Sequence, residues 1–222
     1  MMAHSVEQAR FNMVQQQIRP WEVIDPRVLG VMETLPREAF VPDAYKALAY
    51  ADIEIPLDHG EQMMFPRVEA RLMQALDLLP GDQVLEVGTG SAYLTACMAK
   101  LCQRVVSIDI HDEMTQSASK KLQQQGIGNV ILKSGDALEG ILAEGPFDVI
   151  AVTGSVATSE QAEIFRQQLR IGGRLFIIIG AAPVMEAMLI TRTGENAYSE
   201  EGLFETDVKA LTNAEAPRTF EF

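Results

Sequence analysis

The chain predicts an α/β fold, a Rossmann-like, doubly wound and mostly parallel sheet with a helical N-terminal extension, and three observations carry that expectation. Short, near-continuous apolar runs at 84–87, 105–110, 130–132, 149–152 and 175–179 alternate with helix-like segments at 91–101, 112–124, 137–143 and 159–169. Apolar strands separated by helices belong to a parallel sheet covered on both faces. A two-glycine turn, Gly88-Thr89-Gly90, follows the first run directly. The first 79 residues carry helical periodicity and prolines instead.

Taken in order, residues 6–18 place Ala9, Met13, Val14 and Ile18 at roughly helical spacing. Arg19-Pro20 should end that helix, because the residue before proline resists the α region. Asp25 caps a short helix that starts at Pro26 and runs to Met32. Pro36, Pro42 and Pro56 break residues 36–65 into turns and short pieces. Pro66 then opens an amphipathic helix whose apolar positions are Val68, Leu72, Met73, Leu76 and Leu79, stopped by Pro80-Gly81-Asp82. After the fifth apolar run, 187–191 and roughly 203–208 read as further strands, suited to an antiparallel edge. The expected organisation is an extension over 1–79 covering the site and a single compact sheet domain over 80–222.

Composition narrows the function classes. With 18 Lys+Arg against 31 Asp+Glu, the 222 residues carry a formal charge of −13 and a pI near 4.6. Neither a nucleic-acid phosphate backbone nor an anionic membrane surface suits such a chain. Apolar residues make up 47% and the mean hydropathy is +0.05, enough for a real core. Cys97 and Cys102, five residues apart on one expected helix, point to different faces and read as reduced structural thiols. No His/Cys/Asp cluster has metal-ligand spacing. The opening MMAHSVEQARFNMVQQQIRP is polar and lacks an apolar stretch, so a cytoplasmic protein is expected; the oligomeric state stays open.

In an open α/β sheet the ligand lies beyond the carboxyl ends of the strands. Strand one ends in Val84-Leu85-Glu86-Val87-Gly88-Thr89-Gly90-Ser91-Ala92, where Gly88 and Gly90 allow a ligand to press against the backbone. Strand two ends at Asp109-Ile110, a carboxylate placed for both hydroxyls of a ribose. A third acid, in Ser134-Gly135-Asp136-Ala137, is placed either to accept an adenine amine, with Ala137 supplying its N–H, or to cap the helix expected at Ala137. A dinucleotide fingerprint needs a third glycine where Tyr93 stands, and Glu86 would repel a pyrophosphate. An acid there suits a cationic ligand bearing an ammonium and a sulfonium.

With Phe147-Asp148-Val149 through Gly154 and Ile171-Gly172-Gly173-Arg174 following in order, these segments resemble class I S-adenosylmethionine-dependent methyltransferases. The N-terminal phrases are more specific. Asn12-Met13-Val14, Gln17-Ile18-Arg19-Pro20, Asp25-Pro26-Arg27-Val28, Pro36-Arg37-Glu38-Ala39-Phe40-Val41-Pro42, Tyr50-Ala51-Asp52 and Ile55-Pro56-Leu57 resemble the protein-L-isoaspartate O-methyltransferase family. The likeness runs from about residue 10 to about residue 180. It implies S-adenosyl-L-methionine as cofactor, held by Gly88, Thr89 and Gly90, with Glu86 near its ammonium, Asp109 on the ribose, and Ile110, Asp136 and Ala137 around the adenine. It implies a protein or peptide carboxylate as acceptor, with His59, Met64 and Thr153 lining the substrate side.

One stretch departs from the family. After His59-Gly60, relatives carry Thr-Ile-Ser-x-Pro, whereas this chain has Glu61-Gln62-Met63-Met64-Phe65-Pro66. Gln62 takes the Thr place and Met64 the Ser place, and Glu69 stands where relatives often have His. Gln62, Met63, Met64 and Glu69 occupy family positions that face cofactor and acceptor. Losing a hydroxyl donor to a charged acceptor removes about 1.5–3 kcal/mol. The alternatives are a methyltransferase with a different, smaller or less polar acceptor, or a cofactor-binding module without turnover. Several residues also have plain structural roles to fill: His59 as an exposed loop histidine, the Met pair as core, Trp21 as an anchor for the N-terminal arm, and Thr153 or Ser155 as a cap near Ser159. His4 and His111 read as surface.

Overall fold

The computed structural model describes residues 2–214, with side chains from Ser5 onward; His4 therefore lies outside the described side chains. Helix α1 (Met2–Asn12) runs on without a break into a π-helical turn, Met13–Ile18, and a 3-10 turn, Arg19–Trp21. The expected stop at Arg19-Pro20 is thus corrected: Arg19 is helical at φ −58, and the chain leaves the helix only at Glu22, with φ 61. Pro20 falls in the first turn of a new, tighter helix, where its missing N–H has no partner to lose.

Asp25 caps α2 (Pro26–Thr34), its side chain accepting the N–H of Arg27 at 2.8 Å. The next stretch is turns and fragments, as the prolines require: 3-10 turns at Arg37–Ala39, Asp43–Leu48 and Asp58–Gly60, and a two-residue antiparallel pair, β1 (Ile55–Pro56) with β2 (Gln62–Met63). Helix α3 (Pro66–Leu76) buries Val68, Leu72, Met73 and Leu76. It ends at Asp77, which turns left-handed at φ 44, so Leu79 lies beyond the helix and stays 45% exposed.

The remaining elements are β3 (Gln83–Val87), α4 (Tyr93–Ala99), β4 (Arg104–Asp109), α5 (Asp112–Gln124), β5 (Val130–Ser134), β6 (Phe147–Val156), α6 (Ser159–Arg166), β7 (Leu169–Ala181), β8 (Val184–Gly194) and β9 (Ala197–Thr206). They build a seven-stranded sheet in the order β5-β4-β3-β6-β7-β8-β9. The first five strands pair in parallel, while β8 and β9 close the edge antiparallel. Two expectations fail locally. Residues 137–143 form turns, because Gly140 interrupts a segment too short to nucleate a helix, although Ala137, Leu138 and Leu142 still pack on the core. Helix α4 stops at Ala99, which leaves Cys102 in the turn beyond it; both thiols are free and buried.

Successive strand residues point to opposite faces, and the two core clusters follow that alternation. Val84, Val105 and Val149 face a cluster containing Met13, Ile18, Met32 and Phe40 of the extension, together with α3 and α4. Leu85, Val106 and Ile150 face the other cluster, with Phe147 and Phe165. The extension therefore shares one face of the sheet with α4 and α5. Phe40 is fully buried and meets the Tyr93 ring edge-on at 5.6 Å. Replacing Phe40 with Ala should lower unfolding stability by about 3–5 kcal/mol. Urea melts followed by two probes should keep a single transition, and separate transitions for helix and sheet would contradict a shared core.

Candidate active site

The site forms where β3, β4 and β6 end side by side. Just past β3, Gly88 adopts φ +95 and donates its N–H to the Ile108 carbonyl of β4 at 2.8 Å. A Cβ on Gly88 would collide with the hydroxyl of Thr153 from β6. That hydroxyl lies 2.9 Å from the Val87 carbonyl and 3.1 Å from the Gly88 carbonyl, so it ties the turn to its neighbour strand. Gly90, at φ +49, donates its N–H to Asp109 Oδ2 at 2.8 Å, and the His111 N–H reaches Asp109 Oδ1 at 2.9 Å. Two backbone donors thus orient the Asp109 carboxylate. Asp136 is held likewise: Oδ1 accepts from the Leu138 N–H at 2.8 Å and Oδ2 from the Asn213 amide at 2.7 Å. The helix that Asp136 was expected to cap does not form, and its carboxylate closes a turn instead.

These groups open onto a cavity of about 580 Å³, inside the range for small-molecule sites. Gln62, Met64, Gly88, Gly90, Asp109, Ile110, Asp136, Ala137 and Thr153 line it, so the structure brings together nine of the expected positions. Met63, Glu69, Glu86, Thr89 and His59 are not among the lining residues. Strand alternation explains two of them: Met63 turns into the core beside Gln62, and Glu86 points away from the face that Val87 presents. Thr89 is 4% exposed and bonds to the Ser107 hydroxyl at 2.6 Å. Glu69 is buried against Arg37.

Glu86 is fully buried, and its Oε2 accepts from the hydroxyls of Thr95 and Ser107, each at 2.5 Å. Burial pushes its carboxyl up to about 8, against the pull of Ser107 and Thr95. An ammonium partner for Glu86 is therefore not what the geometry offers. Burial likewise raises Glu69 to about 7, with the Arg37 guanidinium opposing.

His111 corrects its assignment to the surface. It lines the cavity, and its ring stacks on His59 at 4.2 Å with 6° between the planes. Asp109 and Ile110 carry His111 to the rim, and a left-handed φ of 59 brings His59 to it. The sequence reading also missed residues 207–212, which it partly assigned to a strand. The strand ends at Thr206, and the chain then docks along β6, with Ser155 N–H to the Lys209 carbonyl at 3.1 Å and Leu211 N–H to the Ser155 carbonyl at 2.9 Å. Ser155 is thereby used structurally, and the helix cap is Thr158. This segment contributes Asp207, Lys209 and Leu211 to the cavity wall. Lys209 Nζ reaches Glu61 Oε1 at 2.5 Å and the Gly60 carbonyl at 3.2 Å. Nothing local in the sequence marks it.

Five parallel strands in this order, a glycine turn and an oriented acid at the end of the second strand define a class I methyltransferase architecture. The protein-L-isoaspartate(D-aspartate) O-methyltransferase family model matches residues 8–214. The chain is 34% identical over 210 residues to protein-L-isoaspartate O-methyltransferase 2 of Pelobacter propionicus, covering 94% of this chain and 92% of that one. It is 40% identical over 180 residues to the protein-L-isoaspartate O-methyltransferase of Magnetococcus marinus, covering 81% of this chain and 78% of that one. A solved protein-L-isoaspartate O-methyltransferase superposes with TM-score 0.78 at 26% identity, over 91% of this chain and 65% of the other. The chain belongs to the protein-L-isoaspartate(D-aspartate) O-methyltransferase family.

The buried Glu86 makes a pH-dependent contribution to stability. Its folded value near 8 lies above the ordinary 4.5, so the folded protein holds a proton that the unfolded chain releases. That contribution is full at low pH and is lost as pH rises toward and through about 8. Glu86→Gln cannot titrate. Its melting temperature relative to the parent should rise between pH 5 and pH 9, and a constant difference would contradict a protonated Glu86.

Proposed function

We propose that the chain transfers the methyl group of S-adenosyl-L-methionine to a carboxylate of a protein or peptide, in the first instance an isoaspartyl carboxylate. The observation that supports this best is a single cavity lined both by the glycine turn and Asp109 and by Gln62, Met64 and Phe65. The residues present fit the cofactor. The cradle at Gly88 excludes a Cβ, the bend at Gly90 exposes backbone, and a held carboxylate at Asp109 keeps lone pairs for ribose hydroxyls. Ile110, Ala137 and Leu138 give an apolar wall for a purine, beside Asp136.

When bound, the cofactor supplies an electrophilic methyl on a positively charged sulfur. The chain's own work is positioning. A carboxyl group with an ordinary pKa near about 4 is already ionised at neutral pH, so the acceptor needs no general base. Residues 62–65 orient the acceptor in line with the methyl, and the covering segments exclude water while opposite charges neutralise. We include residues 1–79 in that covering role, with 80–222 as the cofactor-binding part. A reducing, cytoplasmic setting belongs to the same proposal, supported by the two buried, unpaired thiols.

A second acceptor class has its own support. No Ser or Thr hydroxyl stands at 62–65, and Met64 and Phe65 make that wall apolar. Glu54 and Asp207 also line the cavity, and burial followed by the charge of Asp207 raises Glu54 above the usual carboxylate value. Such a wall suits a less polar acceptor.

Labelled S-adenosyl-L-methionine with an isoaspartyl peptide should yield a base-labile methyl ester. Cofactor binding without transfer to any carboxylate would overturn the proposal. Met64→Ser should raise kcat/KM for that peptide by roughly ten- to a hundredfold; an unchanged value would mean that the missing hydroxyl does not orient the acceptor. Gly88→Ala, strained at its positive φ and against Thr153, should weaken S-adenosylhomocysteine binding at least about tenfold by calorimetry.

A further inference from the structure

Among the described residues, the most buried cation does not line the cofactor cavity. Arg37, in the 3-10 turn of the extension, is 0% exposed. Its Nη1 pairs with Glu69 Oε2 of α3, and its Nη2 donates to the Met64 carbonyl at 2.9 Å. Its guanidinium lies over the Tyr93 ring of α4 at 4.6 Å. A planar fork with fixed donors suits three simultaneous contacts of this kind, which a lysine ammonium does not reproduce.

The Met64 contact matters because of where Met64 stands. Met64 is 8% exposed and lines the cavity, while its carbonyl accepts from the fully buried Arg37. On one side the stretch is anchored by the β1–β2 pair, which ends at Met63. On the other side Pro66 has no N–H to give, and the next backbone bonds are those of the first turn of α3 onto the Phe65 carbonyl. Between these anchors, the guanidinium grips the backbone of the residue that faces the acceptor.

Resting on the function proposed above, we infer that Arg37 is a positioning residue for the methyl acceptor. It sets the position of Met64 over the cavity, and Glu69 holds the guanidinium in register. The arrangement also accounts for an acid at position 69: a buried arginine aimed at a carbonyl needs a counter-charge on its other side, and α3 supplies one.

Two variants separate positioning from bulk structure. Arg37→Lys keeps the charge beside Glu69 and loses the fork, and the double change Arg37→Met with Glu69→Met removes both charges at similar volume. Both folded proteins should bind S-adenosylhomocysteine within about twofold of the parent, because neither side chain lines the cavity. Catalytic efficiency toward the isoaspartyl peptide should fall at least about tenfold, mainly in kcat, as misalignment rather than lost binding requires. Equal efficiency in both variants, or a parallel loss of cofactor affinity, would overturn the inference. Carbon-13 methyl spectra of methionine-labelled protein give a reading that does not depend on turnover. In Arg37→Lys the Met64 methyl should shift and gain mobility while Met13 and Met98 stay in place. An unmoved Met64 signal overturns the positioning role even if the parent protein methylates no isoaspartyl peptide, whereas that inactivity alone overturns only the proposed reaction.

Discussion

The tips of three neighbouring strands are bonded to one another, and the rest of the site depends on it. Gly88 gives its N–H to the end of β4, Gly90 gives its N–H to Asp109, and the Thr153 hydroxyl of β6 meets the carbonyls on either side of the first glycine bend. Each bond crosses from one strand to the next, so the bend cannot move without shifting both neighbours. Positive φ at Gly88 and Gly90 makes the bend possible, and the Thr153 contact leaves Gly88 no room for a side chain. A preorganised backbone cradle of this kind binds a ligand without first having to be ordered.

Behind the cradle, the same side of the sheet holds a group of buried ionisable residues. Glu86, Glu69, Arg37, Tyr93 and Cys97 are each fully or nearly fully buried, and they meet three different fates. Arg37 and Glu69 pair with each other, Nη2 of Arg37 donating to the Met64 carbonyl while its Nε has no hydrogen-bond partner among the described residues. Glu86 keeps a proton and two hydroxyl partners instead of a counter-ion. Burial raises the Cys97 thiol well above its usual range, which leaves it unreactive. The extension makes this possible by sealing the sheet face with Met13, Ile18, Met32 and Phe40. A lone buried charge is costly, while a paired or neutralised one is tolerated.

On the acceptor side, polarity has moved from the loop to its rim. Met64 and Phe65 present apolar surface where the family resemblance places hydroxyls, whereas Lys209, Glu61, His59 and His111 gather at the mouth. Those four residues come from three separate segments: the Lys209–Glu61 ion pair joins the C-terminal stretch 207–212 to the loop at 58–61, and the ring stack joins that loop to His111. The mouth and the cradle are therefore built from different chemistry: charged side chains at one, backbone bonds at the other.

Periodicity and turn chemistry alone determined the sheet domain, its five parallel strands, α5 over 112–124, the Asp25 cap and the glycine turn, because each follows from local spacing and backbone freedom. The cavity positions of Asp109, Asp136 and Thr153 were legible for a related reason: strand ends in a parallel sheet lie on one edge. Local pattern failed at 137–143, where Gly140 interrupts a short segment that forms turns. Tertiary structure decided which way Glu86 and Glu69 point, what Arg37 holds, and that His111 meets His59, 52 residues earlier in the chain. It also decided that 207–212 completes the wall. Those outcomes depend on which distant groups share the low-dielectric interior, and side-chain spacing along a single segment carries no record of that.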